Sequence, residues 1–257
     1  PHRALVYDCV DRHSAYGGMM NPALVDAMEE ELVGGCDVVF TTAAGLCERL
    51  SRFNQNTYMI PNGADFELFS KAASPLPCPD DMKSLPHPIF GFVGMLQECI
   101  AYDYAISLAR SNPVSSLVFI GRELPGVDLS ELKALSNVYF LGLKPHDKLP
   151  EYIAQFDVCL NMFAAGELSK DVSPLKFYEY LATGKPIVST PEPLQVRDFA
   201  DVCHIAENAD EFVKMCSRAL HDDEKTSQVR MQKGRAASWD ARVGTMEDIL
   251  KLHKIFV

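Results

Sequence analysis

One segment of the chain combines charged residues and helix signals in a way that suits the binding of a phosphate. Ser173 and Pro174 favour the start of a helix, as its N-cap and first helical residue, and Gly184 favours its end. The free N–H groups and positive dipole end of a helix N-terminus attract anions. Lys176 would lie in the first turn, where a cation opposes the helix dipole unless an anion is bound beside it. We therefore predict that Lys176 and the helix start contact a phosphate.

Two carboxylates flank this lysine. Glu179 lies one helical turn beyond Lys176 on the same face, and Asp171 precedes the helix. A carboxylate has two acceptor oxygens and therefore suits the vicinal hydroxyls of a ribose or a hexose. The pattern predicts a pocket in which both carboxylates lie beside the phosphate. The alternative is a surface ion pair between Lys176 and Glu179 next to an ordinary loop aspartate, which would contribute little to stability.

Short apolar runs alternate with helical stretches along the chain, which predicts βα units and parallel sheets. The predicted strands are 5–9, 37–41, 57–60, 89–93, 116–120, 138–141, 157–161, 186–189 and 202–205. The predicted helices are 22–32, 43–53, 102–109, 147–155, 174–183 and the stretch from 209 onward. We expect an α/β protein with Rossmann-like parallel sheets and helices on both faces.

A proline-rich segment at 74–88 interrupts this pattern. It has five prolines and no periodicity, as is typical of a linker between domains. About three βα elements precede it, too few for a complete doubly wound domain. The sequence predicts a partial N-terminal domain at 1–73, a C-terminal domain at 89–238, and a final helix at 239–257 that packs back on the N-terminal part. The alternative is one continuous flavodoxin-like domain.

The overall charge argues against nucleic acid as a partner. The chain has 257 residues and a formal net charge of -11 at pH 7, with 47% hydrophobic and 23% charged residues. This composition is typical of a globular protein with a buried core. The excess of negative charge would repel a phosphate backbone or an anionic membrane surface. We therefore expect neither as a direct ligand.

The cysteines and the apolar runs bear on the compartment. The eight cysteines are scattered without a C-x-x-C motif, so we interpret them as reduced, buried thiols of a cytoplasmic protein. No apolar run reaches the roughly 18 residues that span a bilayer, and the N-terminus lacks a signal-peptide layout. The chain starts without Met and enters a strand almost at once. We expect it to be a piece of a longer protein.

Two loops at predicted strand ends carry further candidates. Asp11 and His13 follow the first strand, where the ligand-facing loops of open α/β sheets lie. A histidine there suits hydrogen bonding or proton transfer near neutral pH. Gly166, in the loop at 163–169, would let backbone N–H groups face a ligand. The alternative for all three is an ordinary surface loop.

The remaining histidines show no metal-ligand spacing with one another or with the cysteines. We interpret them as structural or surface residues and predict no metal site; they are His87, His146, His204, His221 and His253. The chain contains no P-loop, no G-x-G-x-x-G after a strand and no G-x-S-x-G. These absences argue against a P-loop ATPase, a nicotinamide dehydrogenase and an α/β-hydrolase.

The segment at 171–190, DVSPLKFYEYLATGKPIVST, resembles the E-x7-E region of the retaining GT-B glycosyltransferases, the large family-4-type group. The resemblance implies that Glu179 contacts the ribose of the donor and that Asp171 contacts the transferred sugar. Asp171 stands where Glu is commoner in the family. Further segments match in the same order: IPNGADFELF at 60–69, FGFVG at 90–94, FIGR at 119–122 and NVYFLG at 137–142.

The chain departs from the family pattern after the strand at 89–93. The resemblance implies that Gly94 lets the backbone approach the donor diphosphate, but the Arg and Lys that many relatives carry next are missing. Neutralisation of the diphosphate would fall to Lys176, the helix N-terminus and Arg122. Roughly the first hundred residues of the usual N-terminal domain, which form much of the acceptor site in the family that the chain resembles, are also not present.

The resemblance implies a GT-B fold and transfer of a sugar, with retention and without a metal or other cofactor. The donor would be a nucleotide-diphosphate sugar, UDP- or GDP-linked, and the acceptor a saccharide or lipid-linked sugar of polysaccharide biosynthesis. The implied catalytic residues are Asp171, Lys176, Asp11 and His13. The implied donor-binding residues are Glu179, Gly94, Arg122, Ser173 and Gly166.

Two other functions stay open at this point. One is a non-hydrolysing sugar-nucleotide epimerase, and the other is a donor-binding fragment without catalysis. Contact with the inner face of a membrane would depend on the missing N-terminal part.

Overall fold

The structure, a computed structural model, describes residues 4–15, 21–166 and 168–255. Its chain forms two compact units. The first comprises Pro1–Gly63, Glu167–Pro174 and Trp239–Val257, and the second comprises Ala64–Gly166 and Leu175–Ser238. Residues 1–3, 16–20, 167 and 256–257 of the predicted domains lie outside the described residues.

Strands and helices alternate along the described residues. The strands are β1 (Val6–Cys9), β2 (Val38–Thr41), β3 (Thr57–Met59), β4 (Ile89–Val93), β5 (Ser116–Ile120), β6 (Val138–Phe140), β7 (Val158–Asn161), β8 (Ile187–Ser189) and β9 (His204–Ile205). The α-helices are α1 (Pro22–Gly34), α2 (Ala44–Leu50), α3 (Phe66–Phe69), α4 (Tyr102–Ser111), α5 (Ser130–Lys133), α6 (Leu149–Ile153), α7 (Leu175–Thr183), α8 (Ala209–Ala219), α9 (Glu224–Ala236) and α10 (Trp239–Leu252). None of these described helices is both long and apolar enough to span a bilayer.

The first unit is built on a parallel three-stranded sheet in the order β1-β2-β3, with Val6 paired to Val38. The final helix α10 belongs to this unit, because Leu250 clusters with Val38 of β2. The hydroxyl of Tyr58 in β3 also lies 2.8 Å from Nε2 of His253, just after α10. Apolar burial on one sheet face therefore holds the end of the chain against its first strands.

The second unit is built on a parallel six-stranded sheet in the order β6-β5-β4-β7-β8-β9. Alternate side chains of β4 enter two separate apolar clusters: Ile89 and Val93 join one, and Phe90 and Phe92 join the other. Both faces of the sheet are therefore covered, as expected for a parallel sheet between two layers of helices. The predicted α/β architecture is confirmed.

The predicted strands are all present, with ends that differ by at most two residues. The predicted helix at 147–155 is instead a 3-10 turn, His146–Lys148, followed by α6. Helices α3 and α5 were not predicted, because four residues span about one turn and cannot display a helical period. Asn21 caps α1 as predicted, accepting a hydrogen bond of 2.9 Å from the N–H of Ala23.

The division into units differs from the predicted domain boundaries. The second unit begins at Ala64, so it includes both the end of the predicted N-terminal domain and the proline-rich segment at 74–88. The reason is apolar packing: Phe66, Phe69 and Met82 are buried in one of the two clusters that cover the six-stranded sheet. Within the proline-rich segment itself, Met82 is buried in this cluster and Cys78 and Leu85 pack against it, so a segment typical of a linker in sequence is held on the second unit.

The cysteines are all unpaired, and most are buried. Cys47 and Cys78 are only half-buried, and Cys99 is exposed, so the expectation of buried thiols is wrong for these three. Cys99 lies in the loop between β4 and α4.

Candidate functional site

The six-stranded sheet has a topological switch point between β4 and β7. From β4 the strand order proceeds to β5 and β6 on one side, and from β7 to β8 and β9 on the other. The loops at the carboxyl ends of two such strands diverge and leave a crevice, which is where open α/β sheets bind ligands. Gly94 directly follows β4, and Phe163 lies two residues beyond β7. The helix α7 begins shortly after this second loop.

Lys176, in the first turn of α7, places its amino group at this switch point. Its Nζ lies 5.0 Å from the ring centroid of Phe92 in β4 and 4.4 Å from that of Phe163. Gly94 makes room for it, since a Cβ on Gly94 would stand 2.6 Å from Cε of Lys176. Gly94 also has φ +147°, which favours glycine. A hydrogen bond of 2.7 Å from the N–H of Val93 to the hydroxyl of Tyr180 fixes α7 against β4.

The electrostatic state of Lys176 suits an anion ligand. Burial lowers the pKa of its amino group to about 8, against a small opposite effect of Cys99 and Glu179. Within the described part of the chain no carboxylate forms an ion pair with it, and it retains some exposure. A cation held between two aromatic rings, with a pKa just above neutrality, is therefore available to a phosphate group.

Glu179, one turn further along α7, is almost completely buried, with 6% of its surface exposed. Its Oε1 lies 3.1 Å from Nε2 of His146, in the loop after β6. Burial raises the pKa of the Glu179 carboxyl, while the hydrogen bond and charge of His146 and the charge of Lys176 act in the opposite direction. The structure therefore makes Glu179 a buried acceptor beside a cation, and not one half of the alternative surface ion pair.

Asp171 belongs to the first unit and is also buried, with 4% of its surface exposed. Its Oδ2 lies 3.4 Å from Nη1 of Arg12, in the loop after β1. The close packing favours glycine at position 45 in α2, because a Cβ there would lie 2.1 Å from Oδ1 of Asp171 unless that side chain moved. Arg12 thus brings the loop after β1 to a carboxylate that is 159 residues away in sequence.

The other predicted site residues of the first unit, Ser173, Asp11 and His13, differ from Asp171 in their burial and their hydrogen bonds. The hydroxyl of Ser173 accepts a hydrogen bond of 3.0 Å from the N–H of Asn62, and α7 begins at Leu175, one residue later than predicted. Asp11 is half-buried, and its carbonyl lies 3.4 Å from the thiol of Cys9, which can donate to it. His13 is exposed in a 3-10 turn, His13–Ala15.

The strand that leads to Arg12 is anchored by a buried cluster of polar groups. Oε1 of Glu29 in α1 accepts hydrogen bonds of 2.7 Å from the hydroxyl of Tyr7 and 3.3 Å from the thiol of Cys9, and Arg49 pairs with the same carboxylate. Burial acts to raise the pKa of Glu29, but the hydrogen bonds from Arg49 and Tyr7 outweigh burial, so the pKa of Glu29 lies below its ordinary value. Burial raises the pKa of the Cys9 thiol to about 12, so the thiol stays protonated and is unreactive as a nucleophile.

The last two predicted donor-binding residues lie at the rim of the six-stranded sheet. Arg122 follows β5 with an exposed side chain, and its carbonyl accepts a hydrogen bond of 2.9 Å from the N–H of Leu96. Gly166 is exposed in the loop after β7, and Glu167 beside it lies outside the described residues. The roles predicted for Arg122 and Gly166 stay predictions.

No group of three or more His, Cys, Asp or Glu side chains that could hold a metal ion occurs within residues 4–15, 21–166 and 168–255. A pocket of about 470 Å³ lies at the opposite edge of the sheet, where Gln155 and Pro186 precede β7 and β8. It is lined by polar groups that already have partners, such as Lys185, which donates to the carbonyl of Ala154. We therefore do not include this pocket in the candidate site.

Sequence reasoning missed two basic residues that hold the carboxylates. Arg12 lies between the predicted residues Asp11 and His13, and its own role was not recognised. His146 is exposed, as the interpretation as a structural or surface residue predicts, but its contact with Glu179 was not predicted. The available signal was its position, since the loop after β6 is at the carboxyl edge of a parallel sheet, where ligands bind.

Comparison with known proteins identifies the family. The model of the family "Glycosyl transferases group 1" matches residues 87–222, just over half of the chain. The chain belongs to this family. The match covers β4 to β9 and therefore includes Gly94, Lys176, Glu179 and His146.

One curated relative agrees with this assignment. The chain is 23% identical over 254 residues to a Bacillus subtilis (strain 168) protein named "Putative teichuronic acid biosynthesis glycosyltransferase TuaH", covering 92% of this chain and 64% of that protein. The chain thus spans a little under two thirds of the curated relative's length.

Solved structures share the fold. The Anabaena protein HepE, crystallised in complex with UDP and glucose, superposes with a TM-score of 0.69 at 16% identity, over 97% of this chain and 72% of that one. Sucrose-phosphate synthase from Thermosynechococcus elongatus has a TM-score of 0.65 at 18% identity, over 93% and 63%. The expected GT-B fold class is confirmed by these likenesses.

Proposed function

We propose that this chain forms the donor-binding part of a glycosyltransferase that uses a nucleotide-diphosphate sugar. The observation that carries the proposal is the amino group of Lys176 at the switch point of the sheet, between the rings of Phe92 and Phe163 and beside Gly94. In this position it would meet the diphosphate of a nucleotide lying across the carboxyl ends of β4 and β7. Glu179 would accept hydrogen bonds from the ribose hydroxyls.

The proposed reaction transfers the sugar with retention and without a metal ion. The bond between the anomeric carbon and the diphosphate oxygen breaks, and the acceptor oxygen forms a bond on the same face of the sugar. The proton of the acceptor hydroxyl passes to the departing diphosphate. Lys176 and the N-terminal N–H groups of α7 would stabilise the negative charge that develops on that leaving group, a task that a metal ion performs in other transferases.

The partners are proposed from the relatives. The Anabaena protein was crystallised with UDP-glucose, which supports a UDP-linked hexose as the first donor to test, with GDP-linked sugars as the alternative. The Bacillus subtilis relative is named for teichuronic acid biosynthesis, which supports a saccharide or lipid-linked saccharide of a cell-surface polymer as acceptor. We propose Asp171, Asp11 and His13 as the groups that contact the transferred sugar or the acceptor, on the resemblance to the family.

Calorimetric titration of the 257-residue chain with UDP, GDP and ADP, with and without EDTA, tests the donor site. We expect one nucleotide to bind, binding to survive EDTA, and Lys176→Ala and Glu179→Ala each to weaken it by about tenfold to a hundredfold, the value of a hydrogen bond to a charged group. Lys225→Ala and Glu224→Ala are matched controls, because both residues are exposed in α9. Equal affinities of site variants and controls would place the donor elsewhere.

A second measurement separates transfer from the two alternatives. Incubation of the donor with the chain and a saccharide acceptor should release UDP only when the acceptor is present. An epimerase would convert the donor without an acceptor, and a donor-binding fragment would bind the nucleotide and leave the donor unchanged.

A further inference from the structure

The two oxygens of the Glu179 carboxylate have different surroundings. Oε1 is held by Nε2 of His146 at 3.1 Å. In the described part of the chain Oε2 has no hydrogen-bond partner. Unlike the unpaired polar atoms that are fully buried, Oε2 is partly accessible to solvent. Oε2 is therefore the oxygen that a ligand can reach. A carboxylate anchored through one oxygen presents the other in a defined direction.

His146 is itself held in place, although 59% of its side chain is exposed. Its ring packs edge-on against Phe69 of α3, with ring centroids 5.2 Å apart and an interplanar angle of 72°. Phe69 is fully buried. The edge-on contact with the buried ring of Phe69 thus restricts the exposed ring of His146 and keeps its Nε2 directed towards α7.

We propose that His146 is the positioning residue for Glu179, which holds Oε1 so that Oε2 accepts the ribose hydroxyls of the donor nucleotide. This inference rests on the proposed function and extends it to a residue outside the segment that resembles the family motif. It assigns His146 to recognition of the ribose and not to contact with the diphosphate, which would meet Lys176.

The pair also makes ribose recognition depend on pH. The groups that face the Glu179 carboxylate are His146 from the loop after β6, and Lys176 and the Tyr180 hydroxyl from α7 itself. Burial raises the pKa of Glu179, and His146 is the largest influence that lowers it. Without His146 the carboxylate should take up a proton at a higher pH, and a protonated Glu179 would lose an acceptor for the ribose.

The experiment measures the affinity of the 257-residue chain for UDP between about pH 6 and about pH 8, for the wild type, His146→Ala and His146→Gln. The ratio of variant to wild-type affinity cancels the titration of UDP itself. We expect this ratio for His146→Ala to fall by about tenfold as the pH falls, since the hydrogen bond stabilises the charged form of Glu179. His146→Gln should restore most of the affinity, because its amide can still donate to Oε1.

One ligand control identifies the ribose as the group concerned, and variant controls identify Glu179 as the acceptor. UDP that lacks the 2′ and 3′ hydroxyls should show no pH-dependent difference between wild type and His146→Ala. Glu179→Gln should bind UDP with only the pH dependence that the titration of UDP itself causes, and adding His146→Ala to it should change nothing further. His221→Ala, at an exposed position before α9, is the control for loss of a histidine elsewhere. Thermal unfolding of each variant checks that it is folded.

The possible outcomes separate this inference from the proposed function. If the wild type binds UDP but His146→Ala has the same pH profile, or if the dideoxy compound shows the same loss, the role of His146 is overturned while the donor site stands. If the wild type binds neither UDP nor GDP, the proposed function is overturned, and the ribose role of His146 with it.

Discussion

Lys176 and Glu179 lie three positions apart on α7, and burial acts on them in opposite directions. It lowers the pKa of the lysine to about 8 and raises the pKa of the carboxyl. In each case burial disfavours the charged form. A polar ligand that pairs with the charged form of either residue would oppose this effect of burial. The helix α7 is also held by apolar burial, since Phe177, Tyr180 and Leu181 belong to one of the clusters of the second unit.

At the residue scale, we predict that the affinity for the nucleotide falls at high pH, because Lys176 then loses its proton. Since its pKa is about 8, the cation is present below that pH and is lost as the pH rises through it. We expect the affinity for UDP to fall by about tenfold between about pH 7 and about pH 9.5, and titration calorimetry across that range measures it. Lys176→Arg, which stays protonated, should show no such fall. A flat profile in the wild type would remove Lys176 from the diphosphate site.

At the scale of elements, α9 is joined to the amino edge of the six-stranded sheet by a buried arginine. Arg230 is 1% exposed and donates hydrogen bonds of 2.6 Å to the carbonyl of Val202 and 3.4 Å to that of Gly184. Asp222, just before α9, provides the counter-charge for Arg230 and also lies 2.8 Å from Nε2 of His204. This network connects α9 with the segments that enter β8 and β9.

Loss of the counter-charge should be costly. Asp222→Asn would leave the buried guanidinium without a carboxylate, and we expect the free energy of unfolding to fall by about 3 to 5 kcal/mol. Denaturant unfolding measures the loss. Glu123→Gln, which breaks the exposed pair with Lys133, is the matched control and should cost at most about 1 kcal/mol. A similar small cost for both variants would mean that the buried network adds nothing.

The same network predicts how stability depends on pH. Burial raises the pKa of Asp222, but the hydrogen bonds from His204 and Arg230 outweigh it and lower the net pKa. A carboxyl whose folded-state pKa lies below its unfolded value stabilises the fold above the unfolded pKa, and this contribution disappears as the pH falls through the folded pKa. The stability difference between wild type and Asp222→Asn should therefore shrink in acid.

At the scale of the whole molecule, the chain crosses between its two units more than once. The first unit includes the segment Glu167–Pro174 and the helix α10. Both are far in sequence from the strands β1 to β3 of the same unit. Each unit has its own apolar clusters among the described residues. A local defect in one unit is therefore expected to unfold that unit without loss of structure in the other.

Leu250 tests this expectation. It is buried on β2 of the first unit, so Leu250→Ala should cost about 2 to 5 kcal/mol and lower the protection of β2 and β3 amides against hydrogen exchange. The amides of β4 and β5 should keep their protection. Leu252→Ala, at a position that is 74% exposed, is the control and should change neither. Equal loss of protection in both sheets would show that the two units unfold together.

The sequence by itself determined the strands and singled out α7 as the candidate binding helix. Apolar runs of four or five residues, Pro and Gly at helix ends, and a lysine in a first helical turn are local signals, because each acts over one or two turns of chain. They were sufficient to predict every strand and to select Asp171, Lys176 and Glu179. The unpredicted helices α3 and α5 are too short for any such signal.

Only the tertiary structure decided what surrounds these residues. His146 meets Glu179 across 33 positions, Arg12 meets Asp171 across 159, and the packing of α10 on β2 brings both ends of the chain into one unit. Such contacts depend on how strands are ordered in a sheet, which no local pattern encodes. The pKa values of Lys176 and Glu179 follow from the same cause, since burial is a property of the assembled layers and not of the residue or its sequence neighbours.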